Sequence, residues 1–297
     1  MNNRRSFITG IKGTKLNKQE IDFLKKYRPW GIILFSRNLD NFNQIKNLTT
    51  RIKLVFRDKN YPIIIDQEGG KVNRLNKLIS LDNLTSEYFG KIFIKDKKRF
   101  SIFYKLFIDH ISHLLLKLGI NINTVPVLDL KYKGSSNIIG NRSFSKDPRV
   151  VSDIGDLCIK HFKNNSIGTI IKHIPGHGLA KVDSHHYTPT INKTLEYLKN
   201  NDFKAFNSKN TLFAMTAHVI FKKIDPKNVV THSKKLIKII RKQIKFKNLI
   251  ISDDLSMKSL KENLKTNTIK CFNAGCNLAL HCNGNFNEME IVANNSP

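Results

Sequence analysis

The strongest constraint on the fold is an alternation of short, largely β-branched apolar runs with longer polar stretches that have helical periodicity. The apolar runs are predicted strands and cover residues 6–9, 31–35, 62–66, 123–129, 169–173, 211–218, 249–253 and 277–281. Predicted helices lie near 17–27, 42–57, 99–118, 151–165, 194–207, 233–245 and 258–274. Strands that alternate with helices indicate βα units and a parallel sheet. Eight of them predict a (β/α)₈ TIM barrel.

One domain accounts for the whole chain. Its 297 residues suit a barrel of this kind, which takes about 250 residues, and no internal repeat or linker rich in Gly, Ser and Pro divides the sequence. Gly275 is the predicted C-cap of the helix at 258–274. Because only residues 282–297 follow the last predicted strand, we expect the eighth helix to be short or frayed. We assign residues 1–297 to a single TIM-barrel domain.

Nearly every predicted strand ends in a polar side chain that is capable of chemistry. These residues are Asp66, Asp129, Lys172, His173, His218, Asp253 and His281. In a barrel the carboxyl ends of all the strands open onto one mouth, which is where this fold places its active site. The alternative is that the Asp and His side chains cap the helices that follow. The convergence of so many strand ends favours a site.

The charge of the chain has two interpretations. The sequence contains 51 Lys and Arg and 23 Asp and Glu, a formal net charge of +28, with a pI near 10.0. Such a charge is typical of proteins that bind nucleic acid. However, the lysines are spread over the whole chain and form no long basic block. A solvated surface composition is therefore favoured, and nucleic acid is not the expected partner.

The composition also bounds the cellular context. Hydrophobic residues make up 40% of the chain, enough for a packed core and too many for a disordered protein. No run approaches the roughly 18 to 20 apolar residues of a membrane-spanning helix, and lysines interrupt the N-terminal region where a signal peptide has its apolar segment. Four cysteines suggest no disulfide scaffold. We expect a cytoplasmic protein with no membrane partner.

The sequence gives no sign of a metal or cofactor. Cys271, Cys276 and Cys282 match no common zinc-ligand spacing. No glycine-rich phosphate loop or dinucleotide fingerprint is present. Any chemistry at the mouth is expected to come from side chains alone.

Three segments carry a specific resemblance. They are Asp-Gln-Glu-Gly-Gly at 66–70 with Arg74, residues 172–178 running into Asp-Ser-His at 183–185, and Ser-Asp-Asp-Leu-Ser-Met at 252–257. With them the chain resembles the β-N-acetylhexosaminidases of glycoside hydrolase family 3, single-domain bacterial enzymes of peptidoglycan recycling. The resemblance runs from about residue 6 to 290. It also includes residues 31–38, 126–129, 142–144, 147–148 and 217–219.

The resemblance implies a retaining glycosidase that forms a covalent glycosyl-enzyme intermediate. By its motif Asp253 is the nucleophile, a role that suits a carboxylate at an oxocarbenium-like centre. Neighbouring strand residues point to opposite faces, so we expect Asp254 to cap the next helix instead. The family pattern assigns the general acid and base to His185, held by Asp183. His186 follows directly and leaves open which imidazole acts.

Sugar binding falls, again by resemblance, to Asp66, Arg74, Arg142, Lys172 and His173. Carboxylates and cationic donors suit this role because they orient ring hydroxyls that interact more strongly in the transition state. The less favoured alternative is that Asp66, Arg74 and Arg142 form a structural ion-pair network. His177 and His218 lie in family motifs and are interpreted as scaffolding of the mouth and of a long loop predicted at 174–190. We expect Asp253 and His185 to approach opposite faces of one sugar, roughly 5 to 6 Å apart when the loop is closed.

These observations predict a cytoplasmic, monomeric exo-β-N-acetylglucosaminidase that acts on GlcNAc-containing muropeptides. Two alternatives stay open at this point. One is a catalytically weakened basic barrel that binds an acidic polymer, although Asp253, Asp183 and His185 are all present. The other is an exo-glycosidase with a different sugar preference, because the pocket for the N-acetyl group is not visible in a sequence.

Overall fold

Eight parallel strands close into a barrel in the computed structural model, which describes residues 4–134, 138–182 and 187–297. In spatial order they are β1 (Arg5–Thr9), β2 (Pro29–Leu34), β3 (Ile63–Ile65), β6 (Ile122–Asn123), β7 (Gly168–Ile174), β9 (Phe213–Thr216), β11 (Leu249–Asp254) and β12 (Leu278–His281). β12 pairs with β1 and closes the ring, with Phe7 opposite Ala279. The predicted (β/α)₈ barrel is confirmed.

Two small sheets lie outside the barrel. β4 (Gln67–Gly69) and β5 (Val72–Asn73) form an antiparallel pair directly after β3. β8 (Thr190–Ile191) pairs in parallel with β10 (Ile220–Phe221). Short 3₁₀ turns cover Ser36–Asn38, Gly140–Arg142 and Val230–His232. Both sheets therefore belong to segments that follow the carboxyl ends of barrel strands.

The helices surround the barrel. They are α1 (Lys18–Tyr27), α2 (Phe42–Phe56), α3 (Ser86–Lys95), α4 (Lys97–Lys117), α5 (Pro148–Asn164), α6 (Leu195–Asn200), α7 (Asp202–Ala205), α8 (Lys234–Lys242), α9 (Leu264–Ala274) and α10 (Phe286–Asn294). No helix in the described ranges is both long enough and apolar enough to cross a bilayer.

Two helices were predicted with wrong boundaries, and a third helix was not predicted. α3 was not predicted; Asp96 ends it and at the same time caps α4 by accepting from the backbone N–H of Arg99. The helix predicted from 258 begins only at Leu264, where Asn263 accepts from the N–H of Thr266. The helix predicted at 194–207 is divided at Asn201 into α6 and α7. Side-chain caps decide the first two boundaries, whereas Asn201 forms no side-chain cap at the start of α7.

The interior of the barrel is filled by apolar side chains from every barrel strand. One buried cluster comprises Ile8, Ile33, Ile64, Ile122, Ile170, Phe213, Met215, Ile251, Leu278 and Leu280. The neighbouring residues Ile63 and Ile65 belong to the second cluster, between strands and helices. This division follows from the period of two along a strand. Because the interior is packed, it closes off the barrel below the mouth.

The chain terminus is ordered against the first strand. α10 is short, as expected, but it is not frayed: Asn285 caps it, and Val292 and Ala293 are fully buried. The Arg5 side chain donates to the Ala293 carbonyl at 2.7 Å. Gly275 adopts a left-handed conformation and ends α9, as predicted.

Candidate active site

A cavity of about 140 Å³ opens where the barrel strands end. Its base includes Ile33, Met215 and Leu280 from the interior cluster of the barrel. Its polar lining residues are Asp66, Glu68, Arg74, Arg142, Lys172, His173, His177 and Asp253. The mouth of the barrel thus brings together Asp253 and all five residues predicted to bind sugar.

The segment after β3 places two carboxylates in the cavity. Asp66 and Glu68 line it, and Gln67 between them points away, because side chains alternate along extended backbone. The Gln67 side chain is buried; it donates to Asn73 Oδ1 at 2.8 Å and accepts from the N–H of Leu75 at 3.1 Å. These bonds fix the segment from behind, so both carboxylates are presented to the mouth.

A tight turn at two glycines returns the chain to Asp66. Gly69 has a φ of +101°, and a Cβ there would lie 2.4 Å from the carbonyl oxygen of Leu84. Only glycine fits this conformation and this space. After the turn, Arg74 Nη2 lies 3.2 Å from Asp66 Oδ2, and the guanidinium stacks 5.3 Å from the centre of the Phe35 ring. The spacing of eight residues between Asp66 and Arg74 therefore becomes a direct ion pair.

Lys172 connects the two carboxylates. Its Nζ lies 3.0 Å from Asp66 Oδ1, 2.6 Å from Glu68 Oε1 and 2.7 Å from Thr124 Oγ1. Thr124 also donates to Asp66 Oδ1. The contacts with Asp66 and Thr124 are hydrogen bonds, and the contact with Glu68 is a close ion pair. A sugar hydroxyl that bonds to Lys172 must enter among these three oxygens.

Arg142 forms a bidentate pair with Glu68. Its Nε lies 2.8 Å from Glu68 Oε2, and its Nη2 lies 2.8 Å from Glu68 Oε1. Paired N–H donors on one carboxylate give the strongest and most directional ion pairs. The cavity wall is therefore a continuous series of alternating charges, in the order Arg74, Asp66, Lys172, Glu68 and Arg142. These residues do form an ion-pair network, and that network also lines the cavity.

The partners of the two carboxylates keep both ionised. Burial alone raises the pKa of Glu68, but Arg142 and Lys172 outweigh it and lower the pKa to about 2. Burial likewise opposes ionisation of Asp66, yet Lys172 and Arg74 hold its pKa well below the usual range. Both side chains carry a negative charge at neutral pH.

His173 is fixed by a buried carboxylate. Its Nδ1 lies 2.7 Å from Asp129 Oδ2, and the backbone N–H of His177 donates to Asp129 Oδ1 at 2.6 Å. Burial opposes ionisation of Asp129, but His173 and His177 outweigh it and lower its pKa. An ionised Asp129 accepts a hydrogen bond from the Nδ1–H group and so fixes the tautomer of His173. Asp129 anchors the start of the 174–190 loop.

Asp253 and Asp254 have different environments at the end of β11. Asp253 lines the cavity and accepts from the backbone N–H of Asp254 at 2.8 Å. Asp254 accepts from the N–H and the hydroxyl of Ser256, at 3.0 and 2.8 Å, and from the N–H of Cys282 at 3.2 Å. The expected helix cap at Asp254 is therefore wrong: it closes a turn, and α9 begins only at Leu264.

The other histidines predicted at strand ends, His218 and His281, are buried, and both form hydrogen bonds. His218 bonds through Nδ1 to Thr231 Oγ1 at 2.8 Å and through Nε2 to the Asp254 carbonyl at 3.0 Å. His281 Nε2 lies 2.9 Å from Glu288 Oε2. His177 lines the cavity, and burial lowers its pKa to about 4, with His173 contributing. His177 is therefore neutral at neutral pH, and its place in the cavity wall is consistent with the scaffolding of loop and mouth predicted from the sequence.

Asp183 and His185, predicted to supply acid and base catalysis, lie outside the described residues, as does His186. Their roles, and the expected separation of Asp253 from His185, stay predictions. Within the described ranges, no group of three or more His, Cys, Asp or Glu side chains is arranged to hold a metal ion.

Sequence reasoning missed the contribution of Glu68 and Thr124. Glu68 lies in the motif at 66–70, but no role was predicted for it. The available signal was its two-residue spacing from Asp66, since alternate residues of extended backbone share a face. Thr124 had no signal, because its contact with Asp66 joins positions far apart in the sequence.

Comparisons with known proteins agree on one family. The family model described as the N-terminal domain of glycosyl hydrolase family 3 matches residues 6–295. A beta-hexosaminidase of Haemophilus ducreyi is 34% identical over 294 residues, which cover 96% of this chain and 83% of that protein. A beta-hexosaminidase of Haemophilus influenzae is 30% identical and covers 97% of this chain and 82% of its own length.

A solved structure extends the likeness to three dimensions. The chain is similar to NagZ from Neisseria gonorrhoeae in complex with N-trifluoroacetyl-D-glucosamine, with a TM-score of 0.88 at 29% identity. The match covers 98% of this chain and 88% of that one. The similarity therefore includes the whole barrel.

Proposed function

The chain belongs to glycosyl hydrolase family 3 and is a glycoside hydrolase of the β-N-acetylglucosaminidase type, and from this premise we propose that it is a retaining exo-enzyme. We propose that it removes terminal, non-reducing GlcNAc from muropeptides in peptidoglycan recycling. The observation that carries the proposal is the cavity, in which Asp253 lies with Asp66, Arg74, Arg142, Lys172 and His173. The bound glucosamine derivative named for the neisserial relative supports the class of sugar.

The reaction has two displacements at the anomeric carbon. In the first, the Asp253 carboxylate attacks this carbon and forms a glycosyl ester as the glycosidic C–O bond breaks, and His185 gives its proton to the leaving oxygen. In the second, His185 removes a proton from water, whose oxygen attacks the same carbon and releases Asp253. Asp183 stabilises the imidazolium. Two displacements retain the anomeric configuration.

The charged wall orients the sugar during both steps. Asp66 accepts from ring hydroxyls, while Arg74 and Arg142 donate to them. Because these partners are already held by one another, little reorganisation accompanies binding. The side chains supply all of the proton transfer and the nucleophile, so the proposal includes no metal or cofactor.

The proposal extends to the setting of the protein. We propose a single-domain, cytoplasmic monomer whose partner is a carbohydrate, with neither membrane nor nucleic acid as a partner. Four free thiols among the described residues suit a reducing compartment. The even spread of lysines along the chain supports a solvated surface.

Intact-protein mass spectrometry tests the function. Wild type and Asp253→Ala are incubated with a slowly released fluorinated analogue of 4-nitrophenyl N-acetyl-β-glucosaminide. We expect one sugar adduct on wild type, located by fragmentation of the tryptic peptide 248–258 at Asp253 rather than Asp254. Asp253→Ala should show no adduct and lose at least about 10⁴-fold in kcat on the unfluorinated substrate.

The other outcomes point elsewhere. No adduct and no nitrophenol release from pH 5 to 8 would overturn the enzyme and favour a weakened barrel that binds an acidic polymer, for which salt-dependent RNA binding would be the next measurement. Release of nitrophenol from a different glycoside, at a higher kcat/KM than from the GlcNAc substrate, would change the sugar assignment alone.

A further inference from the structure

We propose that Glu68 is a positioning residue that fixes Arg142 and Lys172 in the geometry required for sugar binding. The inference rests on the proposed function and deepens it, because it assigns the arrangement of two sugar-binding cations to a third side chain. Nothing in the resemblance gives Glu68 a role. The argument comes from its contacts.

Glu68 joins three separate elements at one point. It lies on β4, Lys172 lies on β7, and Arg142 ends the 3₁₀ turn Gly140–Arg142. The Glu68 side chain is only 3% exposed, as is that of Lys172. Arg142 belongs to a short turn rather than to a barrel strand, so it depends on a side-chain partner for its position. Glu68 supplies that partner and ties it to the barrel.

The contact with Arg142 fixes an orientation as well as a position. Glu68 binds Nε and Nη2, and Nη1 donates to the carbonyl of Ile138 at 3.3 Å. These bonds use three of the five guanidinium N–H groups and hold the plane of the group. The remaining two are the donors that a sugar hydroxyl can use. Without Glu68 the bond to Ile138 alone holds this plane, and binding must then order it.

The contact with Lys172 decides where the ammonium group lies. Lys172 Nζ lies among oxygens of Asp66, Glu68 and Thr124, and its ion pair with Glu68 is the shortest of the three contacts at 2.6 Å. Removal of the Glu68 charge shifts the ammonium toward Asp66. Asp66 would then lose part of its capacity to accept from sugar hydroxyls. Glu68 thus affects sugar binding indirectly, because its own oxygens are paired with cations.

Glu68→Gln tests the proposal, with Glu87→Gln as the matched control. Glu87 also bridges two lysines, Lys91 at 2.9 Å and Lys131 at 2.7 Å, but lies on α3 outside the cavity. With 4-nitrophenyl N-acetyl-β-glucosaminide we expect kcat/KM of Glu68→Gln to fall about 10²-fold. Most of this loss should appear in KM and in the Kd for free GlcNAc. Glu87→Gln should stay within about twofold of wild type.

A double-mutant cycle separates positioning from a purely structural role. Arg142→Met is measured in the wild-type and in the Glu68→Gln background. If Glu68 acts through Arg142, the loss of GlcNAc affinity caused by Arg142→Met should be at least about fivefold smaller in the Glu68→Gln background. Additive losses would overturn the proposal, because they would mean that Glu68 acts independently of Arg142.

Glu68→Asp covers the case in which Glu68→Gln does not fold. It keeps the charge but is one methylene shorter, so it cannot reach both cations with the same geometry. We expect a folded protein with GlcNAc affinity about tenfold weaker than wild type. Wild-type affinity in a folded Glu68→Asp or Glu68→Gln would overturn the inference while the enzyme stays active. An inactive wild type would instead overturn the proposed function, and this inference with it.

Discussion

Two buried carboxylates near the mouth have opposite protonation behaviour. Asp66 lies in the cavity wall, where Lys172 and Arg74 outweigh burial and hold its pKa well below the usual range. Asp202 lies at the start of α7, behind the loop that follows β7, and is 1% exposed. Burial, with a contribution from Asp129, raises the pKa of Asp202 to about 7. Neighbouring charges, rather than burial, distinguish the two regions.

The groups that contact Asp202 here, Tyr132 and Gly176, are neutral. The Oδ2 of Asp202 accepts from the Tyr132 hydroxyl at 2.9 Å, and its Cβ faces Gly176. A carboxyl group in such surroundings is stable mainly in its protonated form. The cavity wall is thus a charged surface arranged for a polar ligand. Behind the loop, by contrast, the carboxyl group of Asp202 is part of a packed contact.

The two carboxylates therefore affect stability in opposite directions as pH changes. The lowered pKa of Asp66 stabilises the fold above the pKa of the unfolded chain, and this stabilisation is lost as pH falls toward the folded pKa. The raised pKa of Asp202 stabilises its protonated form at low pH, and that contribution declines as pH rises toward about 7.

Asp66→Asn should have the largest effect. The amide cannot neutralise Lys172 and Arg74, so two cations are left without part of their charge compensation. Breaking buried charge pairs in this way costs several kcal/mol, and we expect kcat/KM for 4-nitrophenyl N-acetyl-β-glucosaminide to fall about 10³-fold. Steady-state kinetics and the thermal midpoint should be measured together, so that lost activity is separated from unfolding.

Asp40→Asn is the control for Asp66→Asn. Asp40 also pairs with a lysine, Lys77 at 2.8 Å, but both side chains are more than half exposed. Exposed pairs contribute at most about 1 kcal/mol, and this one lies outside the cavity. Its kcat/KM should stay within about twofold of wild type. Equal losses in the two variants would show that the wall has no special role in binding.

Gly176→Ala should weaken the other side of the comparison. Gly176 has a φ of +139°, and a Cβ would lie 2.7 Å from Cβ of Asp202. Strain and overpacking together should lower the free energy of unfolding by about 3 kcal/mol. Denaturant titration measures this change.

Gly134→Ala separates the clash from the strain. Gly134 also has a positive φ, +77°, but an added Cβ meets nothing within 4 Å among the residues that the structure describes. Its cost should be only about 1 kcal/mol. Equal destabilisation of the two variants would mean that Asp202 does not pack tightly against the loop.

The two regions also differ in how far sequence alone could predict them. The barrel and the residues of the wall were accessible, because the alternation of strands and helices is local and the motif places Arg74 eight residues beyond Asp66. The Gly-Gly turn that joins them is also local. The pattern of strand ends therefore predicted Asp66, Lys172, His173 and Asp253, whereas Arg74 and Arg142 were predicted from the resemblance to the family.

Contacts between segments that are distant in the sequence could not be predicted from it. The meeting of Lys172 with Glu68 and Thr124 depends on the closure of the barrel. Asp202 follows two asparagines in a polar stretch, a pattern that predicts a solvent-exposed position for it. Its burial arises only when α7 packs against the loop and Tyr132, and no local periodicity reports that contact.

Asp202→Asn should have a smaller effect than Gly176→Ala, and the pH dependence of that effect decides the comparison. The wild-type fold binds a proton at Asp202 up to a pH of about 7, whereas in the unfolded chain the group has lost it above about pH 4. Wild type therefore loses stability between these pH values, and the uncharged amide does not. Relative to wild type, Asp202→Asn should gain roughly 2 kcal/mol in unfolding free energy between pH 5 and pH 8. Denaturant titrations of both proteins at several pH values measure this difference. A difference that stays constant with pH would mean that Asp202 is already ionised in the fold, and that burial beside Tyr132 does not hold its proton.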